Sequence, residues 1–139
     1  MLLLVARGRR DAGAAWEDYA VPARWPSWSP QITGVDCSAA RIAAGVTGTV
    51  HAPLGVRLPF RVTAVDESSR TWRWRVGAGP LTGELEHRVL AVPGGSLTEL
   101  RLSPALLGAP YAPLAWIALR RLVSGDASAT APPRWPRRR

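Results

Sequence analysis

No lysine occurs in this 139-residue sequence, so all 18 of its basic residues are arginine. The chain also has a single cysteine, Cys37, and only two histidines, His51 and His87. One cysteine excludes an internal disulfide framework, and these three side chains do not form the spaced cluster that holds zinc. We therefore expect no bound metal and a free thiol at Cys37, either buried or reactive.

Long apolar runs are absent as well. The run at residues 2–6 is shorter than a signal-peptide core and far shorter than a membrane span, and arginines follow it at once. The sequence contains no phosphate-binding glycine motif, no Gly-x-Ser-x-Gly motif and no dinucleotide-binding fingerprint. We expect a cytoplasmic protein without membrane insertion and without a cofactor, and 139 residues suffice for a single domain with its own core.

The charge of the chain is unbalanced, with a formal net charge of +8. Residues 124–139 hold four arginines and one aspartate and so contribute +3, which leaves +5 over the other 123 residues. Within residues 1–123, arginines alternate with acidic residues along the predicted strands. This pattern is typical of a solvent-exposed sheet face and differs from the continuous basic stripe that binds the phosphates of a nucleic acid. We predict no nucleic-acid partner, an ordered domain at residues 1–123 and a disordered Arg- and Pro-rich tail at residues 124–139.

The most informative stretch is residues 72–76, in which Trp, Arg, Trp, Arg and Val alternate. Strict alternation predicts a half-buried strand, with Trp72, Trp74 and Val76 facing an interior while Arg73 and Arg75 face water. Two indoles on one strand face either fill a wide core or line a cavity. The sequence leaves both interpretations open.

Further strands, separated by turn residues at short spacing, predict an antiparallel meander. The first is predicted at residues 2–9 and the others at residues 32–37, 42–52, 56–65, 72–76, 81–92 and through 98–102. One face of the 56–65 strand is expected to carry Val56, Leu58, Phe60, Val62 and Ala64. The outer faces are expected to form a lattice of opposite charges, whose cross-strand pairs each contribute roughly 0.2–1 kcal/mol.

Helices are predicted on both sides of these strands. Asp11 can cap a short helix over residues 12–20, because its carboxylate can accept from the free amides of the first turn. Three prolines and two tryptophans within residues 21–30 predict a kinked second helical turn. Apolar residues at helical spacing over residues 111–123 predict a C-terminal amphipathic helix, with Pro113 in its first turn.

Several motifs carry a resemblance to a known family. They are Trp16 followed by Asp18, the Pro- and Trp-rich residues 22–30, Gly45-Val46-Thr47-Gly48, residues 60–66, residues 72–74 and His87. In their order they resemble the START-like superfamily called SRPBCC, and within it the polyketide cyclase/dehydratase-like group, over about residues 2–123. The resemblance implies an α+β helix-grip fold, in which a curved antiparallel sheet of about seven strands wraps around a C-terminal helix and two short helices follow the first strand. It also implies a hydrophobic tunnel between sheet and helix.

The inward-facing residues form the predicted ligand site, which comprises Tyr19, Trp28, Phe60, Val62, Trp72, Trp74, Leu85, His87, Leu100, Tyr111 and Trp116. His87 is the one titratable group on the predicted inner face, and imidazole suits proton transfer near neutral pH. It could serve as a general acid/base, with Tyr19 or Tyr111 donating to a carbonyl. The alternative is a histidine needed only for packing or for orienting a ligand.

Three functions are compatible with these features. The first is binding of a hydrophobic small molecule, with aromatic or polyketide-like compounds among the candidates, in a cavity between the sheet and the C-terminal helix. The second is a polyketide cyclase/dehydratase-type enzyme that uses His87 as general acid/base. The third is a surface-interaction module whose Arg-rich tail and exposed indoles contact a partner. The sequence leaves open both whether the chain is an enzyme and whether it forms a homodimer.

Overall fold

A single antiparallel sheet of seven strands organises the chain. The computed structural model describes residues 1–104 and 112–124. The strands are β1 Leu2–Gly8, β2 Gly34–Cys37, β3 Thr47–His51, β4 Arg57–Asp66, β5 Thr71–Val76, β6 Gly83–Val92 and β7 Gly95–Ser103. The helices are α1 Ala12–Ala20, α2 Trp25–Trp28 and α3 Ala112–Ser124, with 3-10 turns at Pro22–Arg24, Pro53–Gly55 and Gly79–Leu81.

The strand order is β1-β7-β6-β5-β4-β3-β2. Strands β2 to β6 each pair with the next strand along the chain, and β1 pairs with β7 at one edge of the sheet. Two short helices follow the first strand and one longer helix follows the last. The predicted meander and the helix-grip fold are confirmed.

Two predicted strands were too long. The strand expected at residues 42–52 covers only Thr47–His51, and Ile32 precedes β2, which is Gly34–Cys37. Ile42 is buried, but its backbone N–H donates to the carbonyl of Ala20 in α1 instead of to a neighbouring strand. The apolar residues at the start of the 42–52 segment are therefore explained by packing against α1. Their alternation alone had predicted a strand.

A β-bulge interrupts the pairing of β4 with β5. Val62 lies opposite Trp74, but the register shifts at the next step, so Ala64 lies opposite Arg73 and Val65 opposite Trp72. The extra residue reverses the alternation of faces. The prediction that Ala64 faces the core was therefore wrong, and Val65 takes that place, partly buried against the core.

The first helix begins as predicted at Asp11, whose carboxylate accepts from the backbone N–H of Ala14 at 3.1 Å. On the outer sheet face, the predicted charge lattice is present in the pairs Arg73–Glu86 at 3.3 Å and Arg75–Glu84 at 3.0 Å. These pairs are solvent-exposed and contribute little to stability.

Helix α3 packs against β1 and β7. Its buried side chains are Ala115, Ala118, Leu119, Leu122 and Val123. Near its C-terminal end the backbone N–H of Arg10 donates to the carbonyl of Val123 at 2.7 Å. A Cβ atom at Gly8 would come within 2.4 Å of that same carbonyl oxygen, so this close approach requires glycine. The N-terminal half of α3 lies over the opposite end of the sheet.

Candidate functional site

Aromatic rings fill one half of the concave side of the sheet. They are Trp16, Tyr19, Trp25, Trp28, Phe60, Trp72, Trp74 and His87. The short helix α2 places Trp25 and Trp28 three residues apart, and so on the same face. Trp25 stacks on Trp72 with ring centroids 5.6 Å apart, and its indole N–H donates to the carbonyl of Tyr19 at 2.9 Å. These interactions explain why an irregular, proline-containing segment is held firmly against the sheet.

His87 lies inside this aromatic cluster and is only 4% exposed. Its ring stacks on the indole of Trp72, with centroids 4.8 Å apart and planes 14° apart, and Tyr19 lies 4.8 Å away. The indole N–H of Trp74 donates to Nε2 of His87 at 3.0 Å. Because an indole N–H can only donate, Nε2 must accept and the neutral ring carries its proton on Nδ1.

Burial also determines the charge of His87. Desolvation lowers the pKa of the imidazole to about 3, because the charged form loses hydration that no buried acid replaces. The hydrogen bond from Trp74 favours the same neutral form, since a protonated Nε2 could not accept it. His87 is therefore uncharged at neutral pH.

The hydroxyl of Tyr19 is also committed within the core. The hydroxyl of Thr98 donates to the carbonyl of Arg88 at 3.0 Å, so its oxygen accepts from the Tyr19 hydroxyl, which lies 2.6 Å away. Burial raises the pKa of the Tyr19 hydroxyl well above its usual value. Tyr19 thus acts as a donor to Thr98 in this structure.

A cavity of about 430 Å³ lies beyond the aromatic rings, between the sheet and the N-terminal half of α3. Its walls are Gln31, Ile32, Val50, Ala52, Pro53, Leu58, Trp74, Val76, Leu81, Gly83, Leu85, Leu102 and Leu114. The volume falls within the range that small-molecule sites occupy. Among the wall residues that the structure describes, only Gln31 and Trp74 have side chains with polar atoms, and the N–H of Trp74 donates to His87. The cavity suits an apolar ligand.

A much smaller cavity, of about 30 Å³, adjoins the large one. It shares Gln31, Ile32, Trp74 and Leu85 with the large cavity, and His87 is part of its wall. This space holds roughly one water molecule. His87 therefore borders the small cavity and is not among the described wall residues of the large one.

The predicted site residues divide into groups. Trp74 and Leu85 line both cavities, whereas Trp28, His87 and Leu100 line only the small one. Four others line neither cavity and are packed in the core, namely Tyr19, Phe60, Val62 and Trp72. Tyr111 lies outside the described residues.

Trp116 does not face the sheet as expected. Its side chain is 43% exposed, and the guanidinium of Arg120 lies 5.0 Å from the centre of its ring. Ala115 and Leu119, four residues apart, lie on the buried face of α3. Trp116 follows Ala115 by one residue, so helical spacing turns it away from that face. Leu58 and Val56 were also expected to be buried, but both are exposed at the open end of the large cavity.

Sequence analysis missed most of the aliphatic walls. Val76 and Gly83 lie on the inward faces of β5 and β6, as the alternation predicts, but they were not included among the predicted site residues. Ala52 and Pro53 could not have been identified in this way, because they border the cavity only through the path of the chain between β3 and β4, whereas Val50 is a buried residue of β3 itself. A second hollow, of about 700 Å³, lies on the outer face around the Arg75–Glu84 ion pair and is polar.

Within residues 1–104 and 112–124, no three acidic, histidine or cysteine side chains gather as they would around a metal ion. In the same part of the chain, no helix has the length and apolar character needed to cross a bilayer.

Comparison with solved structures supports the fold. Ara h 8.0201 superposes with a TM-score of 0.71 at 12% identity, covering 92% of this chain and 97% of that one. Protein MLL2253 from Mesorhizobium loti gives a TM-score of 0.68 at 18% identity, covering 87% and 94%. Protein BH1534 from Bacillus halodurans gives 0.68 at 13% identity, covering 88% and 95%. At identities this low, the comparisons support a shared fold and nothing about function.

No curated protein sequence matches the chain significantly. The model of one protein family, described as polyketide cyclase / dehydrase and lipid transport, matches residues 9–131. That match spans most of the chain and includes every helix and nearly every strand. The chain therefore belongs to the polyketide cyclase / dehydrase and lipid transport family, within the START-like superfamily.

Proposed function

We propose that this protein binds a hydrophobic small molecule in the cavity of about 430 Å³ between the sheet and α3. That cavity is the single observation that carries the proposal. Aliphatic side chains and one indole form nearly all of its wall, so transfer of an apolar ligand from water into it is favourable at roughly 25 cal/mol per Å² of buried apolar surface. The family description, which includes lipid transport, agrees with such a ligand.

The environment of His87 favours binding over the alternative, a polyketide cyclase-type enzyme with His87 as general acid/base. A general acid/base works best with a pKa near the working pH, and burial lowers the pKa of His87 to about 3. Its Nε2 accepts from Trp74, and the ring is not among the described wall residues of the large cavity. We assign His87 a role in fixing the position of Trp74, which is part of the cavity wall.

The wall also indicates the kind of ligand. A molecule that fits it needs few polar groups, because the described part of the wall is aliphatic apart from the side chains of Gln31 and Trp74. Shape and apolar area, more than hydrogen bonds, would select among ligands.

Two measurements test this function. Native mass spectrometry followed by solvent extraction identifies any molecule that co-purifies, and we expect a hydrophobic compound in a one-to-one complex. Titration with the amphipathic probe 1-anilinonaphthalene-8-sulfonate, whose aromatic rings are apolar and whose sulfonate is charged, should change the tryptophan emission of the protein saturably. It should also raise the melting temperature, since a ligand that binds only the folded state stabilises it. A protein that purifies empty and shows no saturable response would contradict the proposal.

A further inference from the structure

One ring nitrogen of His87 has no partner in the core. Because Nε2 accepts from Trp74, the proton of the neutral ring is on Nδ1, which makes this nitrogen a donor. Among the residues that the structure describes, no acceptor lies within hydrogen-bond distance of the Nδ1–H group, although it is buried. A buried donor without an acceptor is costly, and most buried polar groups in native proteins are paired. The bond to Trp74 therefore accounts for Nε2 but not for Nδ1.

The small cavity beside His87 has the size and the wall that suit one polar atom. Its volume of about 30 Å³ holds roughly one water molecule, and therefore one carbonyl or hydroxyl oxygen. His87 is part of its wall, and Ser29 and Gln31 add two further polar side chains. Cavities that stay empty are typically lined by apolar groups alone, which is not the case here.

The two cavities meet at a shared boundary. Gln31, Ile32, Trp74 and Leu85 belong to the walls of both. A ligand that fills the large cavity and extends past these residues therefore places its end beside the ring of His87. The hydrogen bond from Trp74 holds that ring in the tautomer with the donor on Nδ1 before any ligand arrives.

From these observations we infer that the small cavity is a polar subsite, in which the Nδ1–H group of His87 donates to one oxygen of the ligand. The ligand class is an apolar molecule with an uncharged carbonyl or hydroxyl oxygen at one end. This inference rests on the proposed function, because it names the chemical class of ligand for the same site.

A carboxylate is a poorer match to this subsite than an uncharged oxygen. The described wall of the small cavity contains no arginine, and its one histidine is neutral. A carboxylate buried there would lose its hydration without a cation to replace it, and burial of an unpaired charge is far more costly than burial of a carbonyl.

Nuclear magnetic resonance of the wild-type protein tests the subsite directly. Tetralin and α-tetralone are a matched pair of probes, because they share one bicyclic skeleton and differ in a single carbonyl group. In protein labelled at the ring nitrogens of histidine, saturating α-tetralone should move the Nδ1–H proton of His87 downfield, as a new hydrogen bond does. Tetralin should cause no such shift. His51 is the internal control, because it is bonded to Asp36 and lines neither cavity.

The inference would be overturned by a proton on Nε2 of His87 in the free protein. Equal shifts with the two probes would overturn it as well, since the carbonyl would then make no contact with Nδ1–H. A subsite that holds only water would give this second result.

Affinity is the second readout. His87→Phe keeps an aromatic ring beside Trp72 and removes the Nδ1–H donor. The ratio of the affinity for α-tetralone to that for tetralin should be about two- to tenfold lower in this variant than in the wild type. His51→Phe is the matched control and should keep the wild-type ratio. The same ratio in all three proteins would contradict the subsite, and the resonances of the wild type decide the question if His87→Phe does not fold.

Tetralin separates this inference from the proposed function, because it has no oxygen and its binding depends on apolar contact alone. Failure of both probes to bind would contradict the proposed function itself. Saturable binding of tetralin, together with a His87 resonance that does not respond to α-tetralone, would overturn the polar subsite alone and leave the cavity assignment intact.

Discussion

The indole N–H of Trp74 on β5 donates to Nε2 of His87 on the neighbouring strand β6, at 3.0 Å. In the sheet register, His87 lies directly opposite Trp72, on which its ring stacks. The two tryptophans that alternate in the sequence thus hold one imidazole between them, by stacking and by a hydrogen bond. Because Trp74 also lines the large cavity, this pair links the packed core to the proposed ligand site.

Replacement of His87 by alanine should destabilise the protein strongly. The substitution removes a buried ring and leaves the indole N–H of Trp74 without its acceptor, so we expect a loss of roughly 2–4 kcal/mol in the free energy of unfolding. Denaturant unfolding measures this. His51→Ala is the matched control, because the bond of His51 to Asp36 lies at the surface. Its cost should stay below about 1 kcal/mol. Similar small losses in both variants would show that His87 is not part of the core.

Stability should fall on mild acidification because of His87. The pKa of His87 is about 3 in the folded state against an ordinary value of 6.5, so between these values the unfolded chain binds a proton that the folded chain excludes. The contribution is complete above about pH 6.5 and decreases as the pH falls, with a slope that approaches about 1.4 kcal/mol per pH unit.

The pH interval from 7 to 5 isolates this effect, because the ordinary pKa values of Glu17 and Glu67 are 4.5 and arginine partners lower both. Unfolding free energies in this interval should fall for the wild type. The variant His87→Gln, whose amide can still accept from Trp74, should show a clearly smaller slope. Equal slopes in the two proteins would mean that His87 titrates normally.

Tyr19→Phe should affect stability but not ligand binding. The change removes the hydrogen bond to Thr98 within the core, at a cost of about 1–2 kcal/mol. Tyr19 does not line the large cavity, so affinity for an apolar probe should be unchanged. A large loss of affinity with little loss of stability would show instead that the tyrosine hydroxyl reaches the ligand.

The elements that could be predicted are those that local pattern determines. The Asp11 cap, the alternation of residues 72–76 and the proline-interrupted turn all depend on neighbours within a few positions, and each matches the structure. The β-bulge after Val62 could not be predicted, since an extra residue in one strand is visible only when both strands are paired.

The site was harder to predict than the fold, for a physical reason. The large aromatic residues were included in the predicted cavity wall, but most of them pack against one another in the core. The cavity lies beside this aromatic cluster. Its walls are smaller residues such as Val50, Ala52 and Gly83, which come together from separate segments. Trp74 and Leu85 were predicted correctly to face inward because they lie on strands that extend from the packed half into the open half.

The cavity wall offers one position at which the central claim can be tested directly. Gly83 lies on the inward side of β6, and a Cβ atom there would meet nothing closer than Leu102 Cδ1 at 3.5 Å, an ordinary contact. The variant Gly83→Leu should therefore fold and place its side chain in the cavity. The matched control is Gly34→Leu on β2, where the nearest atoms to a new Cβ lie 3.9 Å away and the position is outside the cavity wall.

The decisive measurement is the affinity of these two variants for 1-anilinonaphthalene-8-sulfonate, with their melting temperatures recorded alongside. A ligand site in the cavity predicts that Gly83→Leu loses most of its affinity, roughly tenfold or more, while its melting temperature is unchanged or higher. Gly34→Leu should bind like the wild type. Undiminished binding by a well-folded Gly83→Leu protein would contradict the account, because the ligand would then bind elsewhere.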